Sequence, residues 1–154
     1  MKKFVKIISL FFAGMLCFCC FFGCQPKKSE EQIARDRIAS LTEIEVPGES
    51  KIVYHYREAT KFLTGRRAMY TVFEFECEPT DWLNENSFDK EKNSEFESFF
   101  LPGLRHLPKE VRGEIPPEFL PNLEETYYYL WTENFIYFVY IPQNFMLIVL
   151  IPGH

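Results

Sequence analysis

The chain has 154 residues, with 17 lysines and arginines, 22 aspartates and glutamates and a formal net charge of −5. Three of the lysines and none of the acidic residues precede residue 24, so the remainder carries 14 basic against 22 acidic groups, a formal charge of −8. This acidic balance argues against a nucleic-acid binder, which needs a basic stripe to meet the phosphates. The length suits one domain with its own hydrophobic core.

The first 23 residues have the anatomy of an export signal. Lys2, Lys3 and Lys6 form a basic start, an uncharged apolar run extends from residue 7 to residue 22, and Gly23 and Cys24 follow. The run is a little shorter than the stretch of about 20 apolar residues that a membrane span requires. This order predicts an exported chain that is modified at Cys24.

Residues 1–24 resemble the precursors of bacterial lipoproteins. Gly23 and Cys24 match the family's cleavage site, and Phe21 and Phe22 stand where the family prefers leucine and a small residue. The resemblance implies cleavage by signal peptidase II between Gly23 and Cys24, followed by diacylglycerol and, in many bacteria, an acyl chain such as palmitate on Cys24. It implies a lipid-anchored protein on a bacterial membrane, facing the periplasm or the cell exterior. An uncleaved membrane helix and simple secretion are the alternatives.

The chain is expected to have three parts: the signal peptide at 1–23, the lipidated cysteine and a polar tether at 24–31, and a single α+β domain at 32–154. The tether is too polar to pack. Ser29 followed by Gln32 forms a capping-box pattern, and an apolar stripe then predicts a helix over residues 29–41.

Two segments with alternating side chains follow and predict an antiparallel hairpin. In residues 51–57 the two faces carry Ile52, Tyr54 and Tyr56 on one side and Lys51, His55 and Arg57 on the other. In residues 67–77 the buried face carries Met69, Thr71, Phe73, Phe75 and Cys77, and the outer face begins an acidic row at Glu74. A basic strand face would then lie beside an acidic one, with His55 close to Glu74 or Glu76.

Cysteine and histidine usage gives little support to an enzyme. Cys17, Cys19 and Cys20 lie in the signal and Cys24 would carry lipid, so Cys77 is the remaining thiol, and its strand phase predicts burial. An envelope enzyme of the hydrolase type, using Cys77 or His55, is the alternative. The sequence contains no Gly-x-Ser-x-Gly, His-Glu-x-x-His or phosphate-loop motif. We therefore expect no catalytic residue, no metal site and no cofactor.

The middle of the chain predicts short helices at residues 80–86, around Trp82, and 95–101, around Phe99, followed by a proline-rich segment. Five prolines between residues 102 and 125 exclude long helices and central strands there. Long connections of this kind are often functional. The segment contains the candidate binding surface, a local basic cluster of Arg105, His106, Lys109 and Arg112.

The C-terminal part predicts a three-stranded meander at residues 126–131, 135–141 and 145–151. Asn134 and Asn144 end the two turns and can accept left-handed geometry. The last strand is apolar on both faces and should pair on both sides. The predicted fold is α+β, with a single five-stranded antiparallel sheet (N-terminal hairpin plus C-terminal meander) and short helices packed on one face. This layout resembles small uncharacterised bacterial lipoproteins.

These observations favour a lipid-anchored binding or interaction module. Its expected partners are the membrane, through lipidated Cys24, and another envelope protein that contacts the residue 102–125 segment or Tyr127, Tyr128 and Tyr129. An immunity or inhibitor lipoprotein is a specific form of this binding module, because an acidic surface suits a basic toxin.

Overall fold

The computed structural model describes residues 28–59, 67–90 and 92–153. Its elements, in chain order, are α1 (Glu30–Thr42), β1 (Lys51–Arg57), β2 (Met69–Glu74), α2 (Thr80–Glu85), α3 (Ser94–Arg105), α4 (Lys109–Glu114), a 3₁₀ turn (Pro117–Phe119), β3 (Tyr128–Trp131), β4 (Tyr137–Ile141) and β5 (Met146–Ile151). All five strands and the helices around Trp82 and Phe99 lie where the sequence predicts them.

The five strands form one antiparallel sheet in the order β1-β2-β5-β4-β3. The predicted α+β fold, with the N-terminal hairpin joined to the C-terminal meander, is confirmed. β5 pairs with β2 on one side and with β4 on the other. A strand that is apolar on both faces needs such a central place, because an exposed edge would invite aggregation.

Helices cover both faces of the sheet, whereas the sequence predicted them on one face. On one face α1 and α2 contribute Ile38 and Leu83 to a cluster with Phe73, Phe138 and Val149. On the other face α3 contributes Phe96 and Phe100 to a cluster whose sheet residues include Tyr70, Tyr137 and Leu150. The reason is visible in β2, β4 and β5, whose consecutive apolar residues point to both sides and need cover on both.

A bulge in β1 changes the predicted faces of this strand. Ile52 lies opposite Phe73 and Tyr54 lies opposite Val72, so Val53 is an extra residue between them. Ile52 therefore packs on the α1 face, while Tyr54 and Tyr56 pack on the α3 face. Lys51 lies opposite Glu74, as the predicted charge pairing of the hairpin requires.

The first helix is fixed to the domain through Arg35. Its guanidinium donates to the carbonyls of Val46 (3.2 Å) and Pro47 (2.9 Å) and to the Ser50 hydroxyl (3.1 Å), and it lies 5.0 Å from the Phe73 ring centroid. The predicted cap is present, because the Gln32 amide donates to the Ser29 hydroxyl at 3.1 Å.

Candidate functional site

The predicted lipidation site, Gly23 and Cys24, lies outside the described residues. Over residues 28–59, 67–90 and 92–153, none of the helices combines the length and the apolar character needed to cross a bilayer.

Helix α3 organises the segment that carries the predicted basic cluster. Its N-cap is Asn93, whose side-chain oxygen accepts from the amides of Glu95 (2.9 Å) and Phe96 (3.0 Å). The helix continues through Pro102 to Arg105, four residues into the segment that the sequence treated as non-helical. The buried stripe of Phe96, Phe100 and Gly103 explains this continuation, since packing of that face offsets the roughly 3 kcal/mol cost of an internal proline.

Gly103 sets how closely α3 approaches the sheet. A Cβ at this position would lie 3.2 Å from Leu150 Cδ2 and 3.2 Å from Tyr137 Cε2. Both side chains are buried in the sheet, so a larger residue at this position would require them to shift by a few tenths of an ångström. The contact fixes the rotation of α3 and determines which of its residues face solvent.

The outward face of α3 is apolar as well as polar. Phe99 and Leu101 are 45% and 48% exposed. The Phe99 ring meets the ring of Trp131, the last residue of β3, edge to face at 5.8 Å. This apolar surface was not predicted, because the sequence assigned the aromatic residues of this segment to the core.

Arg105, His106, Lys109 and Arg112 are all exposed, as a binding surface requires. We call these four residues the basic corner. Arg105 ends α3, His106 is its C-cap, and Lys109 and Arg112 lie on α4. The cluster therefore stands on two short helices joined by a tight connection rather than on an extended loop.

The segment that follows is tied to the sheet at several points. The Tyr70 hydroxyl donates to the Phe119 carbonyl at 2.6 Å, and the Tyr54 ring lies 5.8 Å from the Phe119 ring. Leu107 and Ile115 are buried in the α3-side cluster. These long-range contacts hold the proline-rich residues in one arrangement, which local sequence patterns could not predict.

A cleft of about 210 Å³ lies between this segment and the turn from β4 to β5. Its floor is apolar and its edge carries carboxylates and amides: Ile141, Met146 and Ile148 below, and Glu118, Asn122, Glu125, Gln143 and Asn144 above. Gln143 Nε2 donates to the Thr126 carbonyl at 3.2 Å, and Asn122 Nδ2 donates to a Glu125 carboxylate oxygen at 2.9 Å. Two carboxylates above an apolar floor suit a side chain with an aliphatic stem and a basic head.

The two turns of the meander present phenylalanines in left-handed conformation. Phe135, before β4, has φ 54° and is 54% exposed, and Phe145, before β5, has φ 53° and is 39% exposed. The sequence predicted left-handed geometry at Asn134 and Asn144, and the structure places it one residue later in both turns.

Cys77 is exposed, so the prediction of a buried thiol is wrong. The ladder of β2 ends at Glu74, and the chain bends at Glu76 and Cys77 after Phe75 has donated its amide to the Phe145 carbonyl at 2.9 Å. The alternation of buried and exposed side chains therefore stops before it reaches Cys77.

His55 does not lie opposite an acidic residue. Its register partner is Thr71, and its Nδ1 lies 2.9 Å from the Thr71 hydroxyl. In the part of the chain that the structure describes, no group of three histidine, cysteine, aspartate or glutamate side chains could hold a metal ion.

The three consecutive tyrosines are split between the two faces of β3. Tyr127 and Tyr129 are buried on the α3 side, where Tyr127 donates to Glu97 at 2.9 Å and Asn93 Nδ2 donates to the Tyr129 hydroxyl at 2.7 Å. Burial, with a further contribution from Glu97, raises the pKa of Tyr127 to about 12. These bonds join α3 to β3, so the two buried tyrosines are structural rather than available to a partner.

Tyr128 faces the α2 side, where its hydroxyl donates to Glu78 at 3.1 Å and the ammonium of Lys90 lies 4.9 Å from its ring centroid. Next to it the Tyr140 hydroxyl is buried and, within the described residues, has no hydrogen-bond partner. Burial raises the pKa of Tyr140, and the negative charge of Glu78 adds to the effect. This hydroxyl is therefore neutral and is unsuited to act as a base.

Comparison with protein-family models, with curated proteins and with solved structures finds no match for this chain.

Proposed function

We propose that the protein is a lipid-anchored bacterial envelope protein whose α+β domain serves as a binding or interaction module. The observation that carries this proposal is the order of basic start, apolar run, Gly23 and Cys24 in the sequence. Each buried CH₂ contributes about 0.8 kcal/mol, so two or three acyl chains on Cys24 would hold the protein on the membrane for its lifetime.

The cleft supports the binding role. Its apolar floor and its carboxylates, Glu118 and Glu125, suit a lysine or arginine side chain of another envelope protein. The acidic balance of the chain after residue 23 favours the same kind of partner through charge complementarity. The proposed partner is therefore a protein that offers a basic side chain with a long aliphatic stem.

Within residues 28–59, 67–90 and 92–153, the exposed thiol of Cys77 is the observation that favours the enzyme alternative. A thiol nucleophile needs a base within hydrogen-bond reach. His55 lies opposite Thr71, which precedes Cys77 by six residues in the chain. The Nδ1 atom of His55 lies 2.9 Å from the Thr71 hydroxyl and is directed to it. The binding role is for this reason preferred to a hydrolase.

Intact mass and membrane partition test the anchor. The natural chain should yield a membrane-bound species that begins at Cys24 and carries added acyl mass, and Cys24→Ala should lose that mass. Cys77→Ala is the matched control, because it removes the exposed thiol and should leave the acyl mass unchanged. A species that retains residues 1–23 without acyl mass would contradict the proposal.

Site-specific photo-cross-linking in intact cells tests the binding role. A photoreactive residue in place of Leu120, which lines the cleft and is 39% exposed, should give a discrete protein adduct. The same residue in place of Ser98, which is exposed on α3, is the control and should give none. Equal labelling at both positions, or none at Leu120, counts against a partner in the cleft.

A further inference from the structure

One end of the sheet carries an apolar rim, formed by Phe99, Trp131 and Phe135. Phe135 lies in the turn from β3 to β4, and Phe99 packs on Trp131, where β3 ends. Phe99 and Phe135 are two of the five exposed large apolar side chains among the described residues, and Leu101, a third, lies on the opposite flank of α3 from Phe99. Grouped exposed apolar side chains are typical of a surface that is covered in the working protein.

Phe135 is held in an unfavourable backbone conformation at the tip of its turn. Its φ of 54° lies in the left-handed region, where a residue with a Cβ is strained, and its ring is 54% exposed. Packing within the protein stabilises this arrangement only weakly, because more than half of the Phe135 surface is exposed to solvent. Strain of this kind commonly marks a functional position.

Basic side chains lie at the C-terminal end of α3. Arg105 follows Leu101 by four residues and so shares the flank of α3 that faces away from Phe99, and His106 comes next. Lys109 and Arg112 follow on α4, where Glu110 and Glu114 are their acidic neighbours, and Glu133 shares the turn with Phe135. The local excess of positive charge is therefore small, and apolar contact is the larger contribution.

We infer that the apolar rim is where the domain rests on the lipid bilayer to which the chain is anchored. The rim side chains would lie at the boundary between headgroups and acyl chains. The inference rests on the proposed lipid anchor. Residues 24–29 reach at most about 20 Å when extended, so the anchor keeps the domain at a high effective concentration next to the bilayer.

This placement gives the domain an orientation. The cleft lies at the opposite end of β4, a strand of five residues that spans about 17 Å. With the rim on the bilayer, the cleft faces away from the membrane and is open to a partner. The two surfaces are then compatible in one molecule.

The two tryptophans test the inference directly. Trp131 belongs to the rim, whereas Trp82 packs on Phe75 on the other face of the sheet, and the Phe75 amide bonds to Phe145 at the cleft end. The experiment uses the full chain in phosphatidylglycerol and phosphatidylethanolamine vesicles that contain brominated phosphatidylcholine. Trp82→Phe leaves Trp131 as the fluorophore, and Trp131→Phe leaves Trp82. An interfacial face lies about 5–10 Å into the headgroup and acyl boundary, so the bromines should quench Trp131 strongly and Trp82 little.

A second pair of variants separates rim contact from general proximity to the membrane. In the Trp82→Phe chain, Phe135→Asn should reduce the quenching of Trp131, because it removes the apolar tip from a position whose backbone asparagine adopts readily. Phe145→Asn is the matched control, with the same left-handed φ at the other end of β4, and should leave the quenching unchanged. Equal quenching of Trp131 and Trp82, or no response to Phe135→Asn, overturns the inference, as would be expected if a protein or a second copy of the chain covers the rim.

Intact mass on the same preparations keeps the two proposals apart. Absence of acyl mass contradicts the lipid anchor. The bilayer contact is then tested on protein that is membrane-bound or mixed with vesicles, by comparing the quenching of Trp131 with that of Trp82. Acyl mass together with equal quenching of the two tryptophans overturns the bilayer contact alone.

Discussion

Phe135 and Phe145 occupy equivalent positions in the two turns that flank β4, with φ values of 54° and 53°. Asparagine precedes the phenylalanine in both turns. Left-handed geometry costs a residue with a Cβ about 1–2 kcal/mol, and asparagine tolerates it better than an aromatic residue does. Both turns of the meander therefore contain a strained, exposed phenylalanine.

Phe135→Asn should raise the free energy of unfolding by about 0.5–1 kcal/mol, because it relieves backbone strain and gives up a ring that is 54% exposed. Phe145→Asn should raise the free energy of unfolding by less, because Phe145 is only 39% exposed and its replacement removes more buried apolar area. Urea denaturation of both variants in the absence of vesicles measures the difference. A loss of stability in Phe135→Asn would show that the ring contributes more to the folded state than its exposure suggests.

Gly103→Ala should lower the free energy of unfolding by about 1 kcal/mol. The new methyl group would press on Leu150 and Tyr137 at 3.2 Å, and this overpacking outweighs the helix propensity that alanine gains. Gly113→Ala on α4 is the matched control, because no atom lies within 4 Å of its added Cβ. That variant should be stabilised by up to about 1 kcal/mol, and thermal unfolding of both chains shows whether the signs differ.

The sheet was predictable because its signals are local. The alternation of side chains predicts the strand Lys51–Arg57 with its observed bounds. The apolar character of Met146–Ile151 on both faces predicts that this strand lies at the centre of the sheet. The bulge at Val53 was not predictable, because the alternation of residues 51–57 continues through it while the pairing with β2 does not. Cys77 was misplaced for a related reason, since the strand pattern continues past Glu74, where the ladder stops.

The candidate binding surfaces were only partly predictable. The exposure of Arg105, His106, Lys109 and Arg112 follows from their polarity, but the continuation of α3 through Pro102 depends on the packing of Gly103 against the sheet. The cleft joins residues from the 117–125 region to the β4–β5 turn, and no local pattern indicates that contact. The repeated Asn-Phe pair was the one signal in the sequence that could have indicated the two exposed phenylalanines.

Asn93→Ala should lower the free energy of unfolding by about 1–2 kcal/mol, because α3 loses its N-cap and the Tyr129 hydroxyl loses a donor at 2.7 Å. Asn93→Asp should cost less, since a carboxylate still accepts from the amides of Glu95 and Phe96. Urea midpoints of the three chains test this order, and equal losses in both variants would assign the whole effect to the bond with Tyr129.

Cys77 should react rapidly with a thiol reagent in the native protein, because its side chain is exposed. A chain that begins at Cys24 contains two cysteines, and lipid on Cys24 leaves one thiol to react. The expected stoichiometry without denaturant is therefore one, and it should fall to zero in Cys77→Ala. Two reactive thiols in the chain that begins at Cys24 would count against modification of Cys24, and slow reaction at Cys77 would count against its exposure.

Tyr127 should make stability depend on alkaline pH. Burial and the neighbouring Glu97 raise the pKa of Tyr127 from 10.0 to about 12, so the folded state holds the phenolic proton more tightly than the unfolded chain does. Its contribution is therefore complete below about pH 10 and is lost as the pH rises from 10 to 12. Tyr127→Phe cannot titrate and should show a shallower fall of the urea midpoint across this range. The fall should persist in part, because burial also raises the pKa values of Tyr70 and Tyr140. An unchanged pH slope in Tyr127→Phe would mean that the proton of Tyr127 is not coupled to folding.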